Sequence, residues 1–400
     1  MSAQDNARIA ELASMRAVHK AFAWMHLHEQ QIRRWQMEAI AIPAPPFGEA
    51  ERARWFAQRF EELGLESVRI DEEGNALGEL HGDADGPVVM LSAHMDTVFP
   101  FGTDVTPREE GPQIHAPGAS DNGAGLAGLL AIAAAMKYAG VKPACTVVFA
   151  ANVGEEGEGD LRGMRALFAD GATYAKRTRM LIALEGVGEA TAVDRALGSR
   201  RLRVTIDGPG GHSWADAGRP NAIVALSTAI AAVGKIPLPK NPRTTLNVGM
   251  IAGGTSVNSI PSSASADIDL RSTTAHQLDR FELMILRTME NAMTSPELRL
   301  TAERIGNRPP GQLAETTQLF RSVKAVDRHL KIATQWRIGS TDANLPLSVG
   351  VPAVAVGAGG TGGGMHTLEE WFDPRGRDVA LRRVLLLLLD CCRCAVDEGA

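Results

Sequence analysis

The pattern of apolar and polar positions changes period along the chain. Residues up to about 60 repeat apolar positions at helical spacing, with a break at Ile42-Pro43-Ala44-Pro45-Pro46, where prolines cannot continue a helix. Beyond the break, short β-branched runs alternate with helix-like segments. The runs at 88–91, 146–150, 180–184 and 352–356 are almost entirely apolar, as expected of strands buried on both faces. An alanine- and leucine-rich segment, 123–136, reads as a helix between two of them. This alternation predicts an α/β fold, a mainly parallel sheet wrapped by helices.

The texture shifts near Arg201. Residues 201–206 and 264–271 alternate as half-exposed strands do, and 220–233 and 275–292 read as helices. That order predicts an inserted α+β domain of the split β-α-β, ferredoxin-like kind. The expected division is a discontinuous larger domain, 1–200 with 306–400, and an insert, 201–305.

Composition narrows the function. With 44% hydrophobic and 22% charged residues in 400, the chain is globular in type. Its formal charge of −6 argues against nucleic acid or an acidic membrane surface as partner. Cys145 stands alone and Cys391, Cys392 and Cys394 crowd a leucine-rich segment; such spacing suits reduced core thiols rather than a disulfide framework. The N-terminal residues carry no apolar leader segment, and the apolar stretches 124–136 and 384–389 fall short of the roughly 20 residues that span a bilayer. The expectation is a soluble cytoplasmic protein without membrane contact.

Candidate chemistry follows the strands. Ligands in an open parallel sheet gather at the carboxyl ends of its strands. Just past the proposed strands lie His94 and Asp96, Glu155 and Glu156, Glu185, and, after the glycine-rich stretch 357–365, His366. Asp121 opens the glycine-rich start of the 123–136 helix. Imidazoles mixed with carboxylates suit zinc, manganese or cobalt. Two divalent ions, the three carboxylates Asp121, Glu156 and Glu185, and one hydroxide sum formally to zero, so a pair of ions is reasonable. Asp96, two residues from His94, is better placed to orient that imidazole than to bind metal. In the Glu155-Glu156 pair, neighbours facing different directions allow one to ligate and the other to move a proton. The glycine-rich loop lacks the Lys-Ser/Thr of a phosphate cradle. His115, His276 and His329 read as structural.

At these residues the sequence resembles the cocatalytic dizinc exopeptidases and deacylases, the family of glutamate carboxypeptidase, peptidase T, acetylornithine deacetylase and aminoacylase. The matching pieces are IPAPPFGE (42–49), DEEGN (71–75), SAHMDTV (92–98), SDNGAG (120–125), GEEGEGDLRG (154–163), ALEG (183–186), GPGGHS (208–213), NSIPSSASADIDLR (258–271) and MHTLEEW (365–371). The resemblance implies that His94, Asp121 and Glu185 hold one metal ion, and that Glu156, His366 and the same bridging Asp121 hold the other. It implies Glu155 as general base and acid, Asp96 as the orienter of His94, and a cis peptide at Asp121-Asn122. The insert would be the family's lid and homodimer contact. There His212 matches a histidine that reaches the partner subunit's active site and stabilises an oxyanion, and Asn258 and Arg271 match positions that grip a substrate carboxylate; a guanidinium suits that task.

The implied reaction is hydrolysis of a C–N bond, most often an amide, in a small carboxylate-bearing molecule. Glutamate at 185 leans toward carboxypeptidase or deacylase members, whereas GEEGEGDLRG and the glycine-rich approach to His366 look more like peptidase T. The phenylalanine-containing pattern of the ureidohydrolase branch is absent, which demotes carbamoyl substrates. Other readings are a non-peptide bond, ureido or an amine on an activated ring, or a silent binding protein on the same fold.

Overall fold

The computed structural model describes residues 3–397. The chain divides into two compact units, one ending at Ala196 and resuming at Gln312, the other Leu197–Gly311.

The larger unit is built on a nine-stranded sheet. Its centre is parallel: Cys145–Asn152, Ala84–His94, Thr178–Leu184 and Ala353–Val356 lie side by side in that order. The expected apolar runs sit inside these strands except for Pro352, which precedes its own, and the 145–152 strand is buried at every position. The hairpin Glu66–Ile70/Ala76–Leu80 extends one edge antiparallel. Thr191–Ala196 extends the other, with Gln335–Gly339 parallel to it. Four helices, Ala3–Ser14, Arg16–Leu27, Glu29–Ile40 and Ala50–Glu62, precede the first strand, and the chain breaks between the last two at the prolines.

The helix Gly123–Ala139 is buried almost all round, as its apolar composition requires. Asn122 caps it by accepting from Gly125 N–H at 3.1 Å. A side chain at 125 cannot be fitted, since a Cβ there would stand 2.1 Å from Asn122 Oδ1. The leucine run lies in the long helix Arg377–Asp397. That helix buries Arg383 by a two-pronged pairing with Asp327, 2.6 and 2.8 Å. All four cysteines are buried and unbridged.

The second unit is a four-stranded antiparallel sheet in the order Thr244–Gly253, Ser263–Ser272, Gly198–Asp207, Arg299–Arg308. Helices Ala222–Val233 and Ala275–Asn291 share its core with Leu202, Val204, Ile206, Ile268, Leu270 and Phe281. Strand, helix, strand, strand, helix, strand is the split β-α-β arrangement. The expected boundaries at 200/201 and 305/306 fall inside its strands, because the ladder continues to the pair Ser199↔Arg308. Among the described residues no helix is long and apolar enough to cross a membrane.

Candidate metal centre

In a parallel sheet, side chains just beyond the carboxyl ends of neighbouring strands share one rim. His94 ends its own strand, Glu155 and Glu156 follow Asn152, and Glu185 follows Leu184. Asp121 precedes the buried helix, and His366 arrives on the glycine-rich loop in a left-handed conformation, φ 64°, uncommon for a residue with a Cβ. Two triads result: His94, Asp121 and Glu185, and Asp121, Glu156 and His366, each with ligand-type atoms within 4.8 Å of one another. Asp121 belongs to both. Its Oδ1 lies 3.2 Å from His94 Nε2 and its Oδ2 3.1 Å from His366 Nε2. Glu156 Oε1 is 3.0 Å from His366 Nε2, and Glu185 Oε1 is 3.6 Å from His94 Nε2.

The donor set fits divalent cations. His94 Nε2, Asp121 Oδ1 and Glu185 Oε2 are buried without a hydrogen-bond partner, a cost that proteins rarely leave uncompensated. The protonation pattern says the same. Burial first, then the negative charges of Asp121 and Asp342, push Glu185 up to about 7 against the pull of His94. Burial depresses the His94 imidazolium, but Glu185 and Asp121 more than reverse this and hold it well above the usual histidine range. Asp121 and Glu156 hold His366 at about 10. Asp121, despite burial, stays below the usual carboxylate range through His366 and His94. Crowded carboxylates here keep protons on their neighbours, a task that bound cations perform instead.

Asp96 is fully buried, and its arrangement differs in detail from the expected one. His94 Nδ1 lies closer to the backbone carbonyl of Asp96, 3.1 Å, than to the carboxylate, 3.6 Å. The carboxylate instead accepts the backbone N–H groups of Glu155 at 2.9 Å and Glu156 at 2.6 Å. Burial opposes ionisation, yet these partners and His94 keep Asp96 below the ordinary carboxylate range. One side chain therefore links the strand end bearing His94 to the turn bearing both glutamates.

Supporting residues were not singled out from sequence. Asn122 donates to Leu184 O at 2.9 Å and accepts Gly186 N–H at 3.2 Å, bracketing Glu185. Buried Arg52 donates to the carbonyls of Met95 and Ile42. Asn75, within the DEEGN motif, accepts Val153 N–H at 3.0 Å and donates to Gly163 O at 3.1 Å. Asp342 accepts from Asn152 at 2.9 Å; the only signal for it was an acid after the strand Gln335–Gly339. Glu370 was visible only as one of two acids in MHTLEEW.

In the second unit, His212 pairs with Ser259 across a short antiparallel ladder, and Ser213 N–H donates to Asn258 O at 3.0 Å, so His212 and Asn258 come together there. His212 Nδ1 accepts the backbone N–H groups of Trp214 and Ala215 at 3.2 and 3.3 Å. That leaves the ring proton of the neutral imidazole on Nε2. Arg271 lies on the Ser263–Ser272 strand, with Nε donating to Asp269 at 2.7 Å.

Comparison with known proteins follows this geometry. A probable carboxypeptidase of Aspergillus flavus is 26% identical over 201 residues, 46% of this chain and 46% of that protein. The chain thus matches less than half the length of that curated relative. Among solved structures, a tripeptidase of Staphylococcus aureus superposes with TM-score 0.76 at 21% identity, covering 91% of this chain and 99% of that one. The YXEP protein of Bacillus subtilis, a dinuclear metal-binding peptidase, superposes with TM-score 0.69 at 17% identity, covering 92% and 99%. At these identities the structural likeness concerns the fold. The sequence model of peptidase family M20/M25/M40 matches residues 90–389, a span that contains both ligand triads and the inserted unit, and the chain therefore belongs to that family.

Proposed function

We propose that the chain hydrolyses an amide or peptide C–N bond in a small carboxylate-bearing substrate, using two divalent ions. The observation that carries this reading is the sharing of Asp121 by two triads. His94, Asp121 and Glu185 would hold one ion; Asp121, Glu156 and His366 the other. Zinc fits the mixture of nitrogen and oxygen donors, and manganese or cobalt fits it too. When bound, such ions polarise the scissile carbonyl and bring the acidity of water to near neutral pH.

The remaining steps belong to side chains. Glu155, buried and next in sequence to a ligand, takes the proton of the attacking water and returns it to the leaving amine. Asp96 holds the Glu155-Glu156 turn through its two short bonds. His212 offers its Nε2–H to the developing oxyanion, supplied by the lid of a second copy in a homodimer. The edge strand Thr244–Gly253, with Met250 and Ile251 exposed, is compatible with such self-association. Arg271, whose Nε is held by Asp269 at 2.7 Å, and Asn258 grip the substrate carboxylate, a task that the planar guanidinium suits.

The test is Glu155→Gln, assayed on a panel of dipeptides, tripeptides, N-acyl amino acids and N-carbamoyl compounds beside metal analysis. The variant keeps its fold and metal content and loses about 10²- to 10⁴-fold in kcat. Activity within a few-fold of the parent protein, with equal metal content, refutes the proton-shuttle role; no turnover of any panel member by the metal-loaded parent refutes the hydrolase reading.

A further inference from the structure

Glu370 is an acid that the reaction above does not use, and it is almost completely buried. It lies four residues beyond His366, just before the short strand Trp371–Asp373. Its two oxygens are occupied by backbone donors from one segment. Oε2 accepts Gly118 N–H at 2.9 Å, and Oε1 accepts Ser120 N–H at 2.7 Å and Asp121 N–H at 2.8 Å. Its own carbonyl accepts Ala116 N–H at 3.1 Å.

The same segment is held from its other side. Gln36, fully buried, donates to Ala119 O at 2.7 Å, and its own carbonyl oxygen accepts from buried Arg377. Asp121 is therefore presented by a loop whose N–H groups converge on Glu370 and one of whose carbonyls is held by Gln36. The carboxylate that receives those N–H groups comes from the loop carrying His366. Asp121 and His366 are 245 positions apart in sequence, and Glu370 is a short link between their loops, beside Ser120 Oγ, which donates to Trp371 O at 2.7 Å.

The geometry points to Glu370 as a positioning residue for the dimetal centre: its carboxylate fixes the direction in which Asp121 offers its oxygens and keeps Asp121 in register with His366 for a common divalent cation. The inference rests on the two-ion reading above. Chemistry explains the residue type. Three N–H donors need an acceptor with several lone pairs and no hydrogen of its own, which a carboxylate supplies and an amide does not. Partners of this kind orient metal ligands, and their loss typically weakens metal binding about 10- to 100-fold. The effect should be unequal at the two sites. Asp121 serves both triads, so both sites weaken; in the first, His94 and Glu185 keep their own supports from Asp96 and Asn122, whereas in the second the register of the His366 loop is disturbed together with Asp121.

The experiment is Mn²⁺ titration of metal-free full-length protein, with free Mn²⁺ followed by electron paramagnetic resonance and fold by circular dichroism. Compared are the parent chain, Glu370→Gln, and Thr367→Ala, which removes the exposed bonds to Gly364 O and Glu369 N in the His366 loop but leaves the carboxylate in place. The parent binds two ions. Glu370→Gln binds both ions more weakly, the second at least tenfold, and Thr367→Ala stays within about twofold of the parent. Parental affinity at both sites in Glu370→Gln overturns the inference, as does equal weakening in Thr367→Ala, which would mark mere loosening of the loop. If Glu370→Gln does not fold, Glu370→Asp, whose shorter arm cannot reach all three donors, must show the same unequal loss; parental affinity at both sites there overturns the inference. A parent chain that binds no Mn²⁺ or a single ion defeats the two-ion reading itself, and this inference with it.

Discussion

Replacing Asp96 by Asn tests how the centre is assembled from separate strand ends. The substitution preserves shape, removes one buried negative charge and replaces one acceptor oxygen by an NH₂ donor. In the native chain both carboxylate oxygens are used, one by Glu155 N–H and one by Glu156 N–H. The amide can satisfy one of these and must turn its own N–H toward the other. The surviving bond loses charge assistance, worth about 1 kcal/mol, and one buried N–H goes unpaired at about 1–3 kcal/mol. The sum is a destabilisation of about 2–4 kcal/mol in the metal-free protein, to which the loss of a counter-charge near buried Arg52 adds. Because the turn bearing Glu155 and Glu156 is then free to re-aim, metal affinity falls about 10- to 100-fold as well. Urea unfolding followed by circular dichroism measures the first quantity, and chelator competition the second. Ser92→Ala is the control: it lies on the same strand two residues before His94, and its buried hydroxyl has no hydrogen-bond partner, so its loss should leave metal affinity unchanged. If Asp96→Asn unfolds within about 0.5 kcal/mol of the parent and binds metal equally well, the tie through Asp96 does not carry the energy assigned to it.

His212→Gln places an amide N–H near the position of Nε2, whereas His212→Asn reaches only that of Nδ1. The glutamine variant should retain roughly a tenth of kcat and the asparagine variant lose about 10²- to 10³-fold; equal activities would contradict the Nε2–H assignment. Tyr174 O–H donates to Glu79 at 2.5 Å and accepts from Arg69 at 2.7 Å, and burial and then Glu79 push its phenol up to about 12. A group raised on folding contributes stability that is full below its unfolded value of 10.0 and lost as pH rises toward 12. Tyrosinate absorbance should show one of the chain's two tyrosines titrating near pH 12, a step that Tyr174→Phe removes; disappearance of a step near pH 10 instead would refute the assignment.

Local pattern accounts for much of what could be read in advance. The short apolar runs read as strands covered on both faces, and the alternating runs of the insert as strands covered on one. A polar group directly after a buried strand must emerge at the sheet's rim, so His94, Glu156 and Glu185 were legible as candidates from position alone. The pairing of Asp121 with both histidines was not legible from position; only the family resemblance implied it. It depends on how the 116–121 loop crosses to the loop carrying His366, and that crossing is fixed by Glu370 and Gln36 through bonds to backbone groups that have no side-chain signature. The insert's limits were misplaced for a similar reason: Arg308 pairs with Ser199, and nothing near either residue signals the partner. The sequence by itself set which segments are buried and which acids and imidazoles are available. Only the tertiary structure decided their distances and tautomers, because hydrogen bonds to backbone N–H and C=O groups depend on where the chain returns and not on which residue carries them.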